Sequence, residues 1–304
     1  QGKRRADVAV VALDDPVRGQ VDRLERSHAV PAQYAGKSAA GTQPMIAVIS
    51  DIHANREALE AVLGDIRRER IGAIVCLGDI VGYNADPAAC IRLLREAGAT
   101  CIAGNHDRAV TGQITTEGFN PLAARAVEWT RSRLSPEELE WLAALPLKAT
   151  IQHRLVVVHG ALHPEVGCEL VRLDTDEKRQ LSFEALAAYP SGAEICAFGH
   201  THRPGIYEMR DGTMTTHGGE SAAIRDGSLY LVNPGTVGQP RTSDRRPSYI
   251  VLDLDTGIVS LRRVSYDASR ALAKTRKAGL APRFSRLPDP IRKPLRRIYR
   301  AIVG

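Results

Sequence analysis

The stretch Cys101-Ile102-Ala103-Gly104-Asn105-His106-Asp107 stops a short apolar run at a glycine and then presents an amide, an imidazole and a carboxylate. A strand that delivers chemistry into a loop reads this way. Three other runs end alike: Met45 to Ser50 runs into Asp51-Ile52-His53, Ile74 to Leu77 into Gly78-Asp79, and Leu155 to Val158 into His159-Gly160. A fifth, Ile195 to Phe198, ends in Gly199-His200-Thr201-His202. In open α/β sheets ligands collect beyond the carboxyl ends of the strands, so these five runs predict one shared site.

Between the runs the spacing of apolar residues predicts helices. From Arg56 to Arg68, Ala58, Leu59, Val62, Leu63 and Ile66 form one apolar stripe, with Asn55 as the expected cap. Asp86-Pro87 starts another, whose buried face is expected from Ile91, Leu93 and Leu94. Strand, helix, strand, helix, strand is complete by Cys101, and this alternation predicts a parallel sheet with right-handed crossovers. Asn120-Pro121 and the capping box Ser135-Pro136-Glu137-Glu138 begin two further helices, which carry Trp129 and Trp141 as packing residues. A less regular stretch, 161–175, precedes a helix expected from Asp176 to Tyr189.

Beyond His202 the pattern changes to short β-prone runs: Gly205 to Met209, Thr213 to Thr216, Leu229 to Val232, Tyr249 to Asp253 and Ile258 to Arg263. Turn signals such as Asp211-Gly212 and Asp226-Gly227 separate them. We expect an antiparallel sheet packed against the parallel one.

A chain of 304 residues, 43% of them hydrophobic, can bury a sizeable core. No run approaches a membrane span, and no apolar secretory segment follows Gln1-Gly2-Lys3-Arg4-Arg5, so the expected compartment is the cytoplasm. The five cysteines lack paired spacing and read as small buried hydrophobes. The net charge of +6 is unevenly spread: residues 267–304 carry eleven Lys or Arg against two Asp, whereas the middle of the chain is mildly acidic. Three segments are therefore expected: an N-terminal extension over 1–44 without sustained periodicity, a domain over 45–266, and a basic tail over 267–304. In the tail Ile291, Leu295, Ile298 and Ile302 recur at helical spacing, with Pro294 as the natural start. Such a helix lays its apolar stripe on the body and leaves its charge in water; the rival reading is contact with nucleic acid or an anionic membrane surface.

Taken together and in order, Asp-x-His, Gly-Asp, Gly-Asn-His-Asp, a later His and Gly-His-x-His resemble the calcineurin-like metallophosphoesterase superfamily. The resemblance covers about 45 to 265. Its start, and Asn233-Pro234-Gly235-Thr236-Val237-Gly238-Gln239-Pro240-Arg241, look most like the small bacterial and archaeal phosphodiesterase-type members. It implies an α/β fold: a two-sheet sandwich flanked by helices, four layers αββα.

Carried over residue by residue, the resemblance implies that Asp51, His53 and His202 hold one metal, Asn105, His159 and His200 the other, and that Asp79 bridges both. The residue types suit two divalent transition-metal ions, Mn first, with Fe, Zn or Ni as alternatives, better than Ca. The implied activity is metal-dependent hydrolysis of a phosphate ester, a nucleotide-type phosphodiester, through a hydroxide held by the metal pair. His106 would face the substrate as a catalytic group, and Asp107 or another carboxylate would orient its ring. Asn105 and Arg241 would also contact the substrate. Ser/Thr protein phosphatases and dinucleoside polyphosphate hydrolases share this core, and loops 108–120 and 161–175 are expected to decide between substrates. A non-catalytic scaffold of the same fold usually lacks the His of Gly-Asn-His-Asp, and His106 is present.

Overall fold

Every residue of β1 (Ile46–Ile49) is buried, and its two faces meet different neighbours. The structure, a computed structural model, describes residues 45–281 together with 294–295. Ile46 and Val48 join Leu155, Val157, Ile195, Tyr230 and Val232 between two sheets. Ala47 and Ile49 instead join Leu59, Val62 and Ile66 of α1 (Arg56–Arg68) and Ile91 and Leu94 of α2 (Pro87–Glu96). Burial on both faces explains why the run is apolar without alternation. Each fully buried Leu, Ile or Val side chain contributes about 1.5–3 kcal/mol.

The first sheet has the order β3 (Thr100–Cys101), β2 (Ala73–Cys76), β1, β11 (Ser248–Asp253), β12 (Ile258–Arg263), β9 (Ser221–Ala223). The second has the order β4 (Lys148–Ile151), β5 (Leu155–Val158), β6 (Ile195–Ala197), β10 (Leu229–Asn233), β7 (Gly205–Arg210), β8 (Thr213–His217). On its outer face Val156, Val158, Cys196 and Phe198 meet Phe183 and Leu186 of α6 (Asp176–Ala187). Two sheets with helices outside both make the expected four layers. Three further helices, α3 (Asn105–Thr111), α4 (Pro121–Arg131) and α5 (Pro136–Ala143), add Val110, Val127 and Leu142 to the first outer core.

The sheets are not divided as the sequence suggested. Each is mixed: β1, β2 and β3 are parallel, but β11 pairs antiparallel with β1; β5, β6 and β10 are parallel, but β7 pairs antiparallel with β10. The edge of β1 away from β2 would expose unpaired backbone groups, and the β11–β12 hairpin covers it. Likewise Leu231 and Val232 of β10 are buried, which suits a central strand rather than one arm of a separate antiparallel layer.

Asn55, Asn120 and Ser135 cap their helices as expected. Asp86 does not: its Oδ2 accepts a 2.8 Å bond from Lys274 Nζ instead. On α2 it is Cys90, Ile91 and Leu94 that are buried, while Leu93 is only partly so. His217 closes β8, one residue beyond the expected run Thr213 to Thr216, and its Nε2 meets the Glu208 carboxylate at 2.9 Å. All five cysteines are buried and free.

Within the basic tail, α7 (Ala268–Lys277) lies against α1. Lys274 Nζ reaches Glu57 Oε1 at 2.6 Å as well as Asp86. Thr275 Oγ1 donates to Asn84 Oδ1 at 3.0 Å. Pro294 and Leu295 are helical and exposed; the remaining stripe positions Ile291, Ile298 and Ile302 fall outside the described residues, as do residues 1–44. Among the described residues no helix is long and apolar enough to cross a membrane.

Candidate metal centre

Each of the five apolar runs delivers its polar residues to one place. Asp51 and His53 follow β1, Asp79 follows β2, and Asn105 opens α3 just after β3. His159 follows β5, and His200 and His202 follow β6. The chain turns sharply to do this. Asp51, His53, Asp79, His200 and His202 all have positive φ, between 48° and 62°, a left-handed conformation that costs non-glycine residues energy and clusters at functional sites. Gly104 is required by contact: a Cβ there would collide with Asp79 Oδ1 and its backbone nitrogen.

The donor atoms converge in two groups that share one carboxylate. Asp51, His53, Asp79 and His202 form one cluster, and Asp79, His159 and His200 the other, each with its ligand atoms within 4.8 Å of one another. Asp79 Oδ2 is 3.5 Å from His53 Nε2 and 3.4 Å from His159 Nε2. Asn105 Oδ1 lies 3.1 Å from His159 Nε2 and so extends the second group.

Backbone carbonyls set the tautomers. His53 Nδ1 meets Val81 O at 3.2 Å, His159 Nδ1 meets Leu77 O at 2.8 Å, and His202 Nδ1 meets Gln239 O at 2.8 Å. A carbonyl can only accept, so Nδ1 carries the proton and Nε2 is left to face the cluster. Asp51 is fixed by its other oxygen, Oδ2, which accepts from Ser50 Oγ at 2.7 Å and from the His200 amide at 3.1 Å. Its Oδ1 is buried, accepts no hydrogen bond and points to the cluster. A buried anionic oxygen without a donor is the arrangement a cation completes, and the carboxylate, imidazole and amide set fits such an ion.

Electrostatics without a cation show the same strain. Burial alone would raise the Asp51 carboxyl, but the neighbouring imidazoles, His202 first and then His159, together outweigh it and hold the group well below the carboxylate range. Burial lowers His200 to about 3. Burial alone would lower His159, but the Asp79 charge and contact, the Asp51 charge and the Leu77 carbonyl together outweigh it and push the group the other way, to about 10.

His106 sits beside the cluster rather than in it. Its ring packs against Tyr83 at 4.8 Å and Phe119 at 5.0 Å between centroids, and a Cβ on Gly82 would come 2.5 Å from its Nδ1. Burial lowers its pKa to about 4, which leaves a neutral imidazole. Asp107 does not orient this ring. Its two oxygens accept from the Val81 amide at 3.1 Å and the Gly104 amide at 2.9 Å, which ties the Asp79 loop to the start of α3. Burial, followed by the Asp79 charge, raises its carboxyl to about 7.

A pocket of about 320 Å³ opens above Asp79, Asn105, His106, His200 and His202, and Arg241 lines it too. Sequence reasoning did not single out Tyr83, Phe119, Leu170 or Arg172, which also face it. Phe119 and the pair Leu170 and Arg172 do come from the two loops expected to govern the substrate. The Asn233 to Gly238 segment braces the site: Asn233 Nδ2 donates to Gly199 O, Thr236 Oγ1 to Asp51 O, and the Gly238 amide to Asp51 O.

Residues 45–257 match the family model of the calcineurin-like phosphoesterase superfamily domain. The chain belongs to that superfamily. A protein of Methanocaldococcus jannaschii described as uncharacterized is 36% identical over 81% of this chain and 94% of its own. A probable metallophosphoesterase of Methanothermobacter thermautotrophicus is 28% identical over 69% of this chain and 86% of its own. Among solved structures, a metallophosphoesterase from Sphaerobacter thermophilus is similar at TM-score 0.65 and 34% identity, covering 82% of this chain and 97% of that one. Phosphoesterase membership implies a phosphate ester as substrate, and the Asp51, His53, Asp79 and His202 cluster is a candidate metal site within that family.

Proposed function

We propose that this protein is a dinuclear metal-dependent phosphodiesterase acting on nucleotide-type phosphodiesters. Asp51, His53 and His202 would hold one divalent cation, Asn105, His159 and His200 the other, and Asp79 would serve both. The observation that carries this reading is the reach of Asp79 Oδ2, within 3.5 Å of His53 Nε2 and 3.4 Å of His159 Nε2, so that one carboxylate belongs to both donor groups. Imidazole, carboxylate and amide donors favour Mn, with Fe, Zn or Ni able to replace it. Bound there, the cations supply charge neutralisation at the phosphoryl oxygens and a nucleophile at neutral pH.

The remaining chemistry falls to side chains. His106, neutral and held between aromatic rings, would donate its N–H to a phosphoryl or leaving oxygen. Tyr83 and Phe119 would fix that ring and keep water from it. Arg241 would bind a non-reacting phosphoryl oxygen, and Asp107 would act indirectly, by holding the Gly104 and Val81 amides in place. A pocket of about 320 Å³ leaves room for an ester group on each side of phosphorus, which favours a diester. The presence of His106 on this pocket counts against a non-catalytic scaffold.

The test uses metal-stripped protein reconstituted with Mn²⁺, assayed on bis(p-nitrophenyl) phosphate and on p-nitrophenyl phosphate, with chelated protein as control. Mn²⁺-dependent hydrolysis with the diester preferred is expected. Bound metal with neither compound hydrolysed would overturn the reading.

A further inference from the structure

The family match ends at residue 257, yet the chain beyond it reaches back to the loop that carries His53. Thr275, on the buried face of α7, places its Oγ1 3.0 Å from Asn84 Oδ1 and 2.9 Å from Ala271 O, and shares its proton between those acceptors. Asn84 passes the contact on. Its Nδ2 donates to His53 O at 2.9 Å, and its backbone amide meets the same carbonyl at 3.2 Å. A carbonyl only accepts, so the Asn84 side chain has one orientation, with its nitrogen toward His53 and its oxygen toward Thr275.

Two neighbours of Thr275 tie down the residues on either side of His53. Lys274 Nζ holds Asp86 Oδ2 at 2.8 Å, and the Asp86 amide donates to Ala54 O at 3.1 Å. Tyr266 OH accepts from Asn55 Nδ2 at 3.1 Å, while the other Asn55 proton goes to Gly238 O at 3.0 Å. The Gly238 amide in turn donates to Asp51 O at 3.0 Å. The loop needs such ties, because His53 and Ala54 sit in the left-handed region at φ 48° and 55°. Two successive non-glycine residues there persist only where their surroundings hold them. The direction of His53 Nε2, which points into the donor group, depends on that backbone.

We propose that Asn84 and Thr275 are positioning residues for His53: α7 is a clasp that fixes the strained backbone of His53 and Ala54 and so tightens cation binding by the Asp51, His53 and His202 group. This rests on the metal-centre reading above and extends it to a helix outside the family match.

The test uses the full chain freed of metal, with Mn²⁺ binding read by calorimetry and amide hydrogen exchange by mass spectrometry. Asn84→Ala should weaken one of the two Mn²⁺ sites about tenfold and leave the other nearly unchanged. Thr275→Val, close in shape but without the hydroxyl, should weaken the same site about threefold, and Thr275→Ser should restore it. The two contacts act in series, so the double variant Asn84→Ala with Thr275→Val should bind no more weakly than Asn84→Ala alone. The His53 and Ala54 amides donate to Asp79 O and Ile80 O, and in metal-free Thr275→Val their exchange should quicken while β1 and α1 keep their protection. Losses that add in the double variant, unchanged exchange at His53 and Ala54, or faster exchange throughout the domain would overturn the clasp. If the unaltered protein binds no Mn²⁺ while exchange responds at His53 and Ala54 alone, the metal-centre reading falls and the hold of α7 on that backbone stands.

Discussion

The Nε2 atoms of His53 and His202 face each other at 3.1 Å, although one residue follows a strand of the first sheet and the other a strand of the second. Both rings give their Nδ1 proton to backbone carbonyls, so two lone pairs point into the same buried space. That is a poor arrangement for a metal-free protein. Mn²⁺ at a hundred times its Kd should stabilise the fold by ~2.7 kcal/mol. Scanning calorimetry should register a rise in Tm with Mn²⁺ that shrinks in His202→Ala, and an undiminished rise in that variant would contradict the pairing.

His106 is held by Tyr83 and Phe119, outside both donor groups. His106→Ala should therefore keep its bound metal and lower kcat by about 10²- to 10⁴-fold, the usual worth of a positioned proton donor. Steady-state kinetics with parallel metal analysis checks this. Turnover equal to that of the unaltered protein would remove His106 from the chemistry.

Asp107 supports the site from behind. Removing its side chain leaves the Val81 and Gly104 amides buried without an acceptor, each costing about 1–3 kcal/mol. Asp107→Ala should lower the urea midpoint accordingly. A midpoint unchanged with activity lost would instead make Asp107 a direct participant.

Far from the centre, buried Glu208 accepts from Ser228 Oγ at 2.8 Å and Tyr230 OH at 2.9 Å, and meets His217 Nε2 at 2.9 Å. Burial pushes its carboxyl up, but these three bonds outweigh it and hold the pKa below the ordinary 4.5. The charged form is thus favoured by folding. Its contribution is complete above pH 4.5 and is lost as pH falls through the lower folded value. The stability gap between the unaltered protein and Glu208→Gln, from urea titrations between about pH 6 and pH 3, should narrow on the acid side. A gap that widens there would reverse the sign.

Much of this site was legible because burial on both faces makes β1, β2, β5 and β6 unbroken apolar runs, and each run stops where its donor residues begin. The local stops survive without knowledge of the fold. Partner choice does not: Tyr249 to Asp253 reads as a hairpin strand, and only the open edge of β1 makes it part of the first sheet. β9 escaped notice because Ser221-Ala222-Ala223 has no apolar alternation. Tyr83, Phe119 and Arg172 carried no signal either, because they lie 36 to 89 positions apart and only tertiary packing brings them to one pocket. Asp107 misled for a related reason: adjacency to His106 in sequence put its side chain on the other side of the helix start, against backbone amides.

The central claim is that Asp79 serves two cations at once. Metal content per chain, measured by plasma mass spectrometry on protein reconstituted with Mn²⁺ and freed of excess ion, tests it directly. The account predicts two equivalents in the unaltered protein and a loss of both sites' occupancy in Asp79→Ala, with the fold retained by circular dichroism. A single equivalent, or two equivalents that survive Asp79→Ala, would contradict it.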